Sequence, residues 1–163
     1  ISLLAYQKIQ NPNTWFLALS APQNMIDEAK KMNLINFISI PATTDPSYLS
    51  KFYNTIDVLA HARRDGETFG LNLAEAMIHG KPVVSHLCDF MNAQTEIIGD
   101  TGFIVAKGDW ENYAKHLEEL MRNQPLYRDL STKARNRAMQ EFEAEKVTRR
   151  VETIYLDLML NSI

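Results

Sequence analysis

Residues 61–86 read HARRDGETFGLNLAEAMIHGKPVVSH, an order of strand end, loop, helix, turn and next strand. Wound at about 100° per residue, the helical stretch 69–79 places Phe69, Leu71, Leu73, Ala74, Ala76, Met77 and Ile78 over most of its circumference. Only Asn72, Glu75 and His79 interrupt that surface, and they fall within about 60° of one another. A helix that is apolar almost all round is a buried helix, so its one polar stripe faces a cleft, a ligand or a thin strip of solvent. Gly80-Lys81-Pro82 supplies a C-terminal glycine and a stop, and the next apolar run, 82–86, begins at once. A buried helix carried between two short apolar strands is the unit of a parallel sheet.

The same alternation extends outward on both sides. The segments 14–20 (TWFLALS), 37–41 (FISIP), 57–61 (DVLAH), 82–86 (PVVSH) and 102–106 (GFIVA) are short apolar runs bounded by turn residues, and each reads as a buried strand. Helical patterns separate them at 1–10, 24–32, 45–53, 69–79 and 92–98, with Asp45-Pro46 as an N-cap followed by proline at the first helical position. The expected class is α/β, a parallel sheet with helices on both faces. After Ala106 the pattern becomes purely helical, at 110–123, 125–144 and from 146 onward. In the last helix Val147, Val151, Ile154 and Leu158 form one stripe, expected to pack on the chain's own sheet or on a partner domain. The predicted organisation is one domain over 1–163, an α/β core to about 106 and a helical region beyond it. The chain opens at Ile1, without Met, directly into a helix, so a fragment of a longer protein is expected.

Composition excludes several classes. The 163 residues carry a net charge of −3, with 45% hydrophobic and 23% charged residues, values of a globular domain. At this length roughly two thirds of the unfolded surface can be buried, enough for a core without disulfides. The lone Cys88 forms no internal bridge, and a reducing, cytoplasmic compartment is the expectation. No apolar run approaches the roughly 20 residues of a membrane span and the first residues lack a basic region before an apolar stretch, so neither a span nor a signal peptide is expected, and no basic patch with interleaved aromatics supports nucleic-acid binding. Residues 1–60 and 107–163 are each neutral, so the excess of acid lies in 61–106, where Arg63, Arg64 and Lys81 face Asp65, Glu67, Glu75, Asp89, Glu96 and Asp100.

Within that acidic segment, Asp65-Gly66-Glu67-Thr68-Phe69-Gly70 follows a strand's C-terminal end and opens a helix, where ligands bind in open parallel sheets. Gly66 and Gly70 permit close backbone approach, and free amides at a helix start favour a phosphate or carboxylate. Glu67 beside such a site would repel an anion. It is either a first-turn acid stabilising the helix dipole or a partner for neutral hydroxyls next to a phosphate, as in a sugar joined to a nucleotide diphosphate. Glu75 is likewise either a solvated or helix-paired carboxylate or a hydrogen-bond partner of a hydroxyl-rich ligand.

Glu67 and Glu75, separated by seven intervening residues within GETFGLNLAEAMIHGKPVV, resemble the signature of retaining glycosyltransferase family 4 (glycosyl transferases group 1). The flanking order is similar too, with an apolar strand before it, Glu96-Ile97-Ile98 and Gly102 after it, and a helical end containing Ile154-Tyr155. The resemblance covers nearly the whole chain. It implies the Rossmann-like C-terminal, donor-binding half of a GT-B enzyme whose two domains face across a cleft. Carried over by position, Glu67 is the acid that contacts and orients the transferred sugar, assigned here as catalytic though not as a nucleophile. Glu75 is the acid that hydrogen-bonds the nucleotide ribose. Gly66, Thr68, Phe69, Gly70 and Leu71 would line the sugar and diphosphate, and Arg63 either reaches a phosphate or forms an exposed pair with Asp65 or Asp89. The implied partners are a nucleotide-diphosphate sugar donor and a saccharide or lipid-linked acceptor bound through an N-terminal domain. The acceptor class leaves room for peripheral association of the full-length enzyme with the cytoplasmic face of a membrane.

The same resemblance places a further strand, with a basic loop clamping the diphosphate, before the first helix. Its loss would leave a gap between the strands at 14–20 and 57–61. No cofactor or metal beyond the donor is expected. His86, Cys88 and Asp89 lack metal-site spacing, Cys88 reads as an ordinary semi-buried thiol, and His61 and His116 carry no motif. The rival to an enzyme is a catalytically silent Rossmann-like module that binds a protein partner through its terminal helices.

Overall fold

The computed structural model describes residues 1–160. In chain order the elements are α1 (Ser2–Ile9), β1 (Phe16–Leu19), α2 (Gln23–Lys31), β2 (Phe37–Ile40), α3 (Pro46–Thr55), β3 (Leu59–Ala60), β4 (Gly66–Glu67), α4 (Leu71–Ile78), β5 (Val83–His86), β6 (Met91–Asn92), α5 (Gln94–Ile98), β7 (Phe103–Val105), α6 (Trp110–Arg122), α7 (Gln124–Glu141) and α8 (Ala144–Leu160). All strand pairs are parallel, in the order β3-β5-β7, with β1-β2 and β4-β6 as two-stranded ladders. The α/β class read from the alternation is the class observed.

Helices cover both faces of the central ladder, and two adjacent residues of β5 show why. Val84 points into a core with Ala5, Val105, Tyr113, Ala114, Leu117 and Leu120, built by α1 and α6. Val83 points the other way, to Leu73, Met77, Ile97, Ile98, Ala134 and Ala138 from α4, α5 and α7. Successive side chains of a strand alternate faces, so an unbroken apolar run is what a doubly covered strand requires.

Local signals set the boundaries. Asp45 caps α3 by accepting from the Ser47 amide at 2.8 Å. Gly80, at φ +68°, ends α4, with its own N–H donating to Met77 and that of Lys81 to Ala76. Two helices start two residues later than expected. The helix expected from Phe69 begins at Leu71, because Gly70 stands at its N-cap with a left-handed φ of 82°. The helix expected from Asn92 begins at Gln94, because Met91 and Asn92 instead pair with Gly66 and Glu67.

Between β1 and β3 no hydrogen bonds form, and a cavity of about 480 Å³ opens there, lined by Tyr6, Phe16, Leu17, Leu59, Ala60 and Leu117 among others. This is the place where the resemblance implies a gap. β3 is correspondingly short, bonded on its β5 side alone. The apolar stripe of α8 does not reach the sheet. Val147, Val151 and Ile154 are all exposed and α8 has no buried residue, which removes the first of the two placements expected for that helix. No helix among the described residues is long and apolar enough to cross a membrane.

Candidate functional site

The loop between β3 and α4 carries the site. Gly66 adopts φ +78°, and a Cβ there would stand 1.7 Å from the Met91 carbonyl oxygen, so only glycine lets β4 lie against β6. That pairing, extended by the Ala93 amide donating to the Glu67 carbonyl at 3.1 Å, fixes the backbone of Glu67. The side chain of Glu67 turns inward and is 5% exposed.

A buried carboxylate needs partners, and Glu67 has two. Oε1 lies 3.0 Å from His61 Nε2 and 3.3 Å from the Arg63 guanidinium. His61 follows β3 by one residue. Its N–H donates to the Val84 carbonyl, and it continues the register that pairs Leu59 with Val83 and Ala60 with Val84. The next partner in that register is Ser85, and His61 Nδ1 lies 2.9 Å from Ser85 Oγ. The Tyr113 hydroxyl donates to the His61 carbonyl at 3.0 Å from beneath. Burial lowers the His61 pKa below its usual value, while the hydrogen bond and charge of Glu67 pull it upward.

The exposed pair expected between Arg63 and Asp65 or Asp89 does not form: the guanidinium lies 3.3 Å from Glu67 Oε1, and Asp89 pairs with Lys107. The reason is the tight turn at Gly66, which brings Glu67 back beside Arg63. The arginine side chain remains 62% exposed, so it covers Glu67 from the solvent side. The adjoining loop after β5 is held by Asn92, whose Oδ1 accepts from the Cys88 amide at 2.8 Å and whose Nδ2 donates to the Cys88 carbonyl at 2.9 Å. The Cys88 thiol, buried and raised in pKa by that burial, donates to the Arg63 carbonyl.

Thr68, Phe69 and Leu71 are exposed where the loop meets α4, and Gly70 is buried beneath them. Leu71 and Ile78 both surface, so α4 is less fully enclosed than its composition predicts. No side chain caps the N-terminus of α4; the Leu73 and Ala74 amides donate to the Gly70 carbonyl, which leaves those of Leu71 and Asn72 for an anion. One turn on, Glu75 is half-buried and accepts a 2.8 Å hydrogen bond from the Tyr53 hydroxyl of α3. The polar stripe of α4 therefore faces α3. His79 stacks on Tyr53 with ring centroids 5.4 Å apart, its Nδ1 lies 2.7 Å from the Glu75 carbonyl, and its Nε2 lies 3.2 Å from Ser50 Oγ.

The structure thus gathers Gly66, Glu67, Gly70 and Arg63 in one loop and sets Glu75 on the helix that the loop opens. His61, Ser85 and Tyr53 were not singled out by sequence reasoning. The only sequence signal for His61 was its place at the end of an apolar strand leading into the loop.

The chain matches the family model described as glycosyl transferases group 1 over residues 2–137. It is 31% identical over 119 residues to the N-acetyl-alpha-D-glucosaminyl L-malate synthase of Bacillus anthracis, covering 69% of this chain and 30% of that protein. It is 30% identical over 138 residues to the capsular polysaccharide biosynthesis glycosyltransferase CapM of Staphylococcus aureus, covering 82% of this chain and 34% of that one. The chain therefore spans about a third of the length of these relatives. Among solved structures, the Anabaena protein HepE, in complex with UDP and glucose, superposes with a TM-score of 0.79 at 19% identity, covering 99% of this chain and 44% of that chain. Sucrose-phosphate synthase of Thermosynechococcus elongatus superposes with a TM-score of 0.82 at 21% identity, covering 98% and 42%.

Proposed function

The chain belongs to the glycosyl transferases group 1 family, and from that premise we propose that it is the donor-binding domain of a retaining glycosyltransferase. It takes a hexose from a nucleotide-diphosphate sugar and serves transfer to a saccharide or lipid-linked acceptor held by a second domain. Residues 1–163 form the donor unit, with the α/β core to about 106 and the helical region after it.

The observation that carries this reading is the buried, partnered Glu67 placed directly before the uncapped start of α4. The amides of that helix start, with Gly70 and Leu71, would receive the diphosphate and stabilise the charge that grows on it as the sugar leaves. Arg63 stands at the same loop to add its cation. Glu67 accepts from sugar hydroxyls and so sets the ring's orientation toward the acceptor. Thr68 and Phe69 border the sugar, and Glu75 accepts from the ribose hydroxyls while Tyr53 holds one of its oxygens. Leaving and attacking oxygens stay on one face of the sugar, which is the retaining outcome. The complex of HepE with UDP and glucose supports this donor class by analogy of fold.

Isothermal calorimetry of the full-length protein with UDP-glucose, UDP-N-acetylglucosamine and GDP-mannose tests the proposal. Saturable binding is expected, weakened about ten-fold by Glu75→Ala, which removes hydrogen bonds to a charged acceptor. Absence of binding to every donor by a folded protein, or affinity indifferent to Glu75→Ala, would overturn it.

A further inference from the structure

We propose that His61, oriented by Ser85, is a positioning residue that fixes the Glu67 carboxylate in the rotamer that receives the donor sugar. The inference rests on the donor-site reading above and concerns residues which that reading leaves unused.

The chain of contacts runs Ser85 Oγ to His61 Nδ1 at 2.9 Å and His61 Nε2 to Glu67 Oε1 at 3.0 Å. All three residues are buried, with Ser85 wholly inaccessible. Their hydrogen-bonding capacities permit one arrangement of protons around a neutral ring. An ionised carboxylate only accepts, so the ring must donate from Nε2, and Nδ1 is then an acceptor for the Ser85 hydroxyl. Ser85 thereby selects the tautomer, and the tautomer aims a proton at one oxygen of Glu67. Oε2 accepts no hydrogen bond among the described residues, so the clamp leaves one carboxylate oxygen for a ligand.

A histidine that served packing alone would not need this alignment. Its geometry comes from strand register, with the backbone of His61 bound to Val84 and its carbonyl to the Tyr113 hydroxyl, so the ring does not slide. Arg63, on the same Oε1, is largely exposed and adds charge without comparable rigidity. A buried, pre-oriented group loses little freedom when a ligand arrives, which is what a sugar-orienting carboxylate requires.

Two measurements on the full-length protein test the proposal. In the ligand-free protein at pH 7.5, long-range ¹⁵N–¹H NMR of the His61 ring is expected to show the Nε2–H tautomer. The other tautomer, or an imidazolium, would overturn the clamp. Calorimetry with the preferred donor among UDP-glucose, UDP-N-acetylglucosamine and GDP-mannose, and with that donor's own nucleoside diphosphate, then reads the share of affinity contributed by the sugar. His61→Leu is expected to reduce that share roughly ten-fold, and His61→Gln, whose amide NH₂ can take the place of Nε2–H, to restore most of it. An unchanged share in His61→Leu, or a loss in His61→Gln as large as in His61→Leu, refutes the positioning role. If the wild-type protein bound none of the donors, the donor-site reading would fail, while the tautomer would still judge the clamp.

Discussion

Replacing Gly66 with alanine offers a quantitative test of how the site is built, because Gly108 supplies a matched control. Both glycines have nearly the same left-handed backbone, φ +78° and +77°. An alanine at Gly108 meets nothing within 4 Å, so it incurs only the left-handed strain, about 1–2 kcal/mol, partly offset by about 0.4–1 kcal/mol from a stiffer unfolded chain. At Gly66 the new Cβ would stand 1.7 Å from the Met91 carbonyl oxygen and 2.8 Å from its carbon. Backbone cannot yield as a side chain does. The β4-β6 pairing must open, adding overpacking of about 1–3 kcal/mol and weakened ladder bonds of about 1 kcal/mol. Gly66→Ala should therefore destabilise by about 3–5 kcal/mol and Gly108→Ala by less than about 1.5 kcal/mol, against a total stability of about 5–15 kcal/mol for domains in general. Urea denaturation at pH 7.5 followed by circular dichroism measures both. Because β4 carries Glu67, donor affinity should fall in Gly66→Ala even under conditions where the protein stays folded. Equal destabilisation of the two variants, within about 0.5 kcal/mol, would refute the claim that close backbone contact at Gly66 holds the loop.

Further outcomes follow from particular contacts. Tyr53→Phe keeps the ring that stacks on His79 but removes the hydroxyl that donates to Glu75, so UDP should bind roughly ten-fold more weakly while stability changes by only about 1 kcal/mol; calorimetry and urea midpoints check both. His61, which faces Glu67, Arg63 and His86, has its pKa lowered by burial, so the unfolded chain takes up the proton first. Stability is fully present above the unfolded value of about 6.5 and declines as pH falls below it; urea midpoints at pH 7.5 and 5.5 should separate more in wild type than in His61→Gln. Leu73→Ala, at a fully buried position, should cost about 2–5 kcal/mol in the same assay. Ile154→Asp should cost no more than about 0.5 kcal/mol, because that residue of α8 is exposed, and a larger loss would show that the helix packs on the domain.

Much of this architecture was legible in the residues. The strands around Val83 and Phe103 stand where their apolar runs predict, because a doubly covered parallel strand must be apolar at consecutive positions, whereas the strand at Phe37–Ile40 forms as expected but is not buried, with Ile38 and Ser39 exposed. The caps at Asp45 and Gly80 follow from local hydrogen bonding within a few residues. The points that differ are those that depend on how the chain turns back on itself. Asn92 belongs to a strand rather than to a helix because Glu67 lies beside it. Arg63 has a carboxylate of its own loop as partner because the Gly66 turn folds Glu67 back toward it.

The sequence by itself determined the alternation of elements, the glycines that permit the β4–α4 loop and the spacing of Glu67 and Glu75 on either side of a helix start. Each is set by local geometry, whose period and dihedral requirements are written in neighbouring residues. Only the tertiary structure decided which groups hold those acids. Ser85 reaches His61 across 24 residues and Tyr53 reaches Glu75 across 22, through strand register and helix packing that no local pattern encodes. The two carboxylates were visible in the sequence. Their partners were not, because a buried charge is satisfied by whatever the fold brings within 3 Å, and that is a property of the assembled layers.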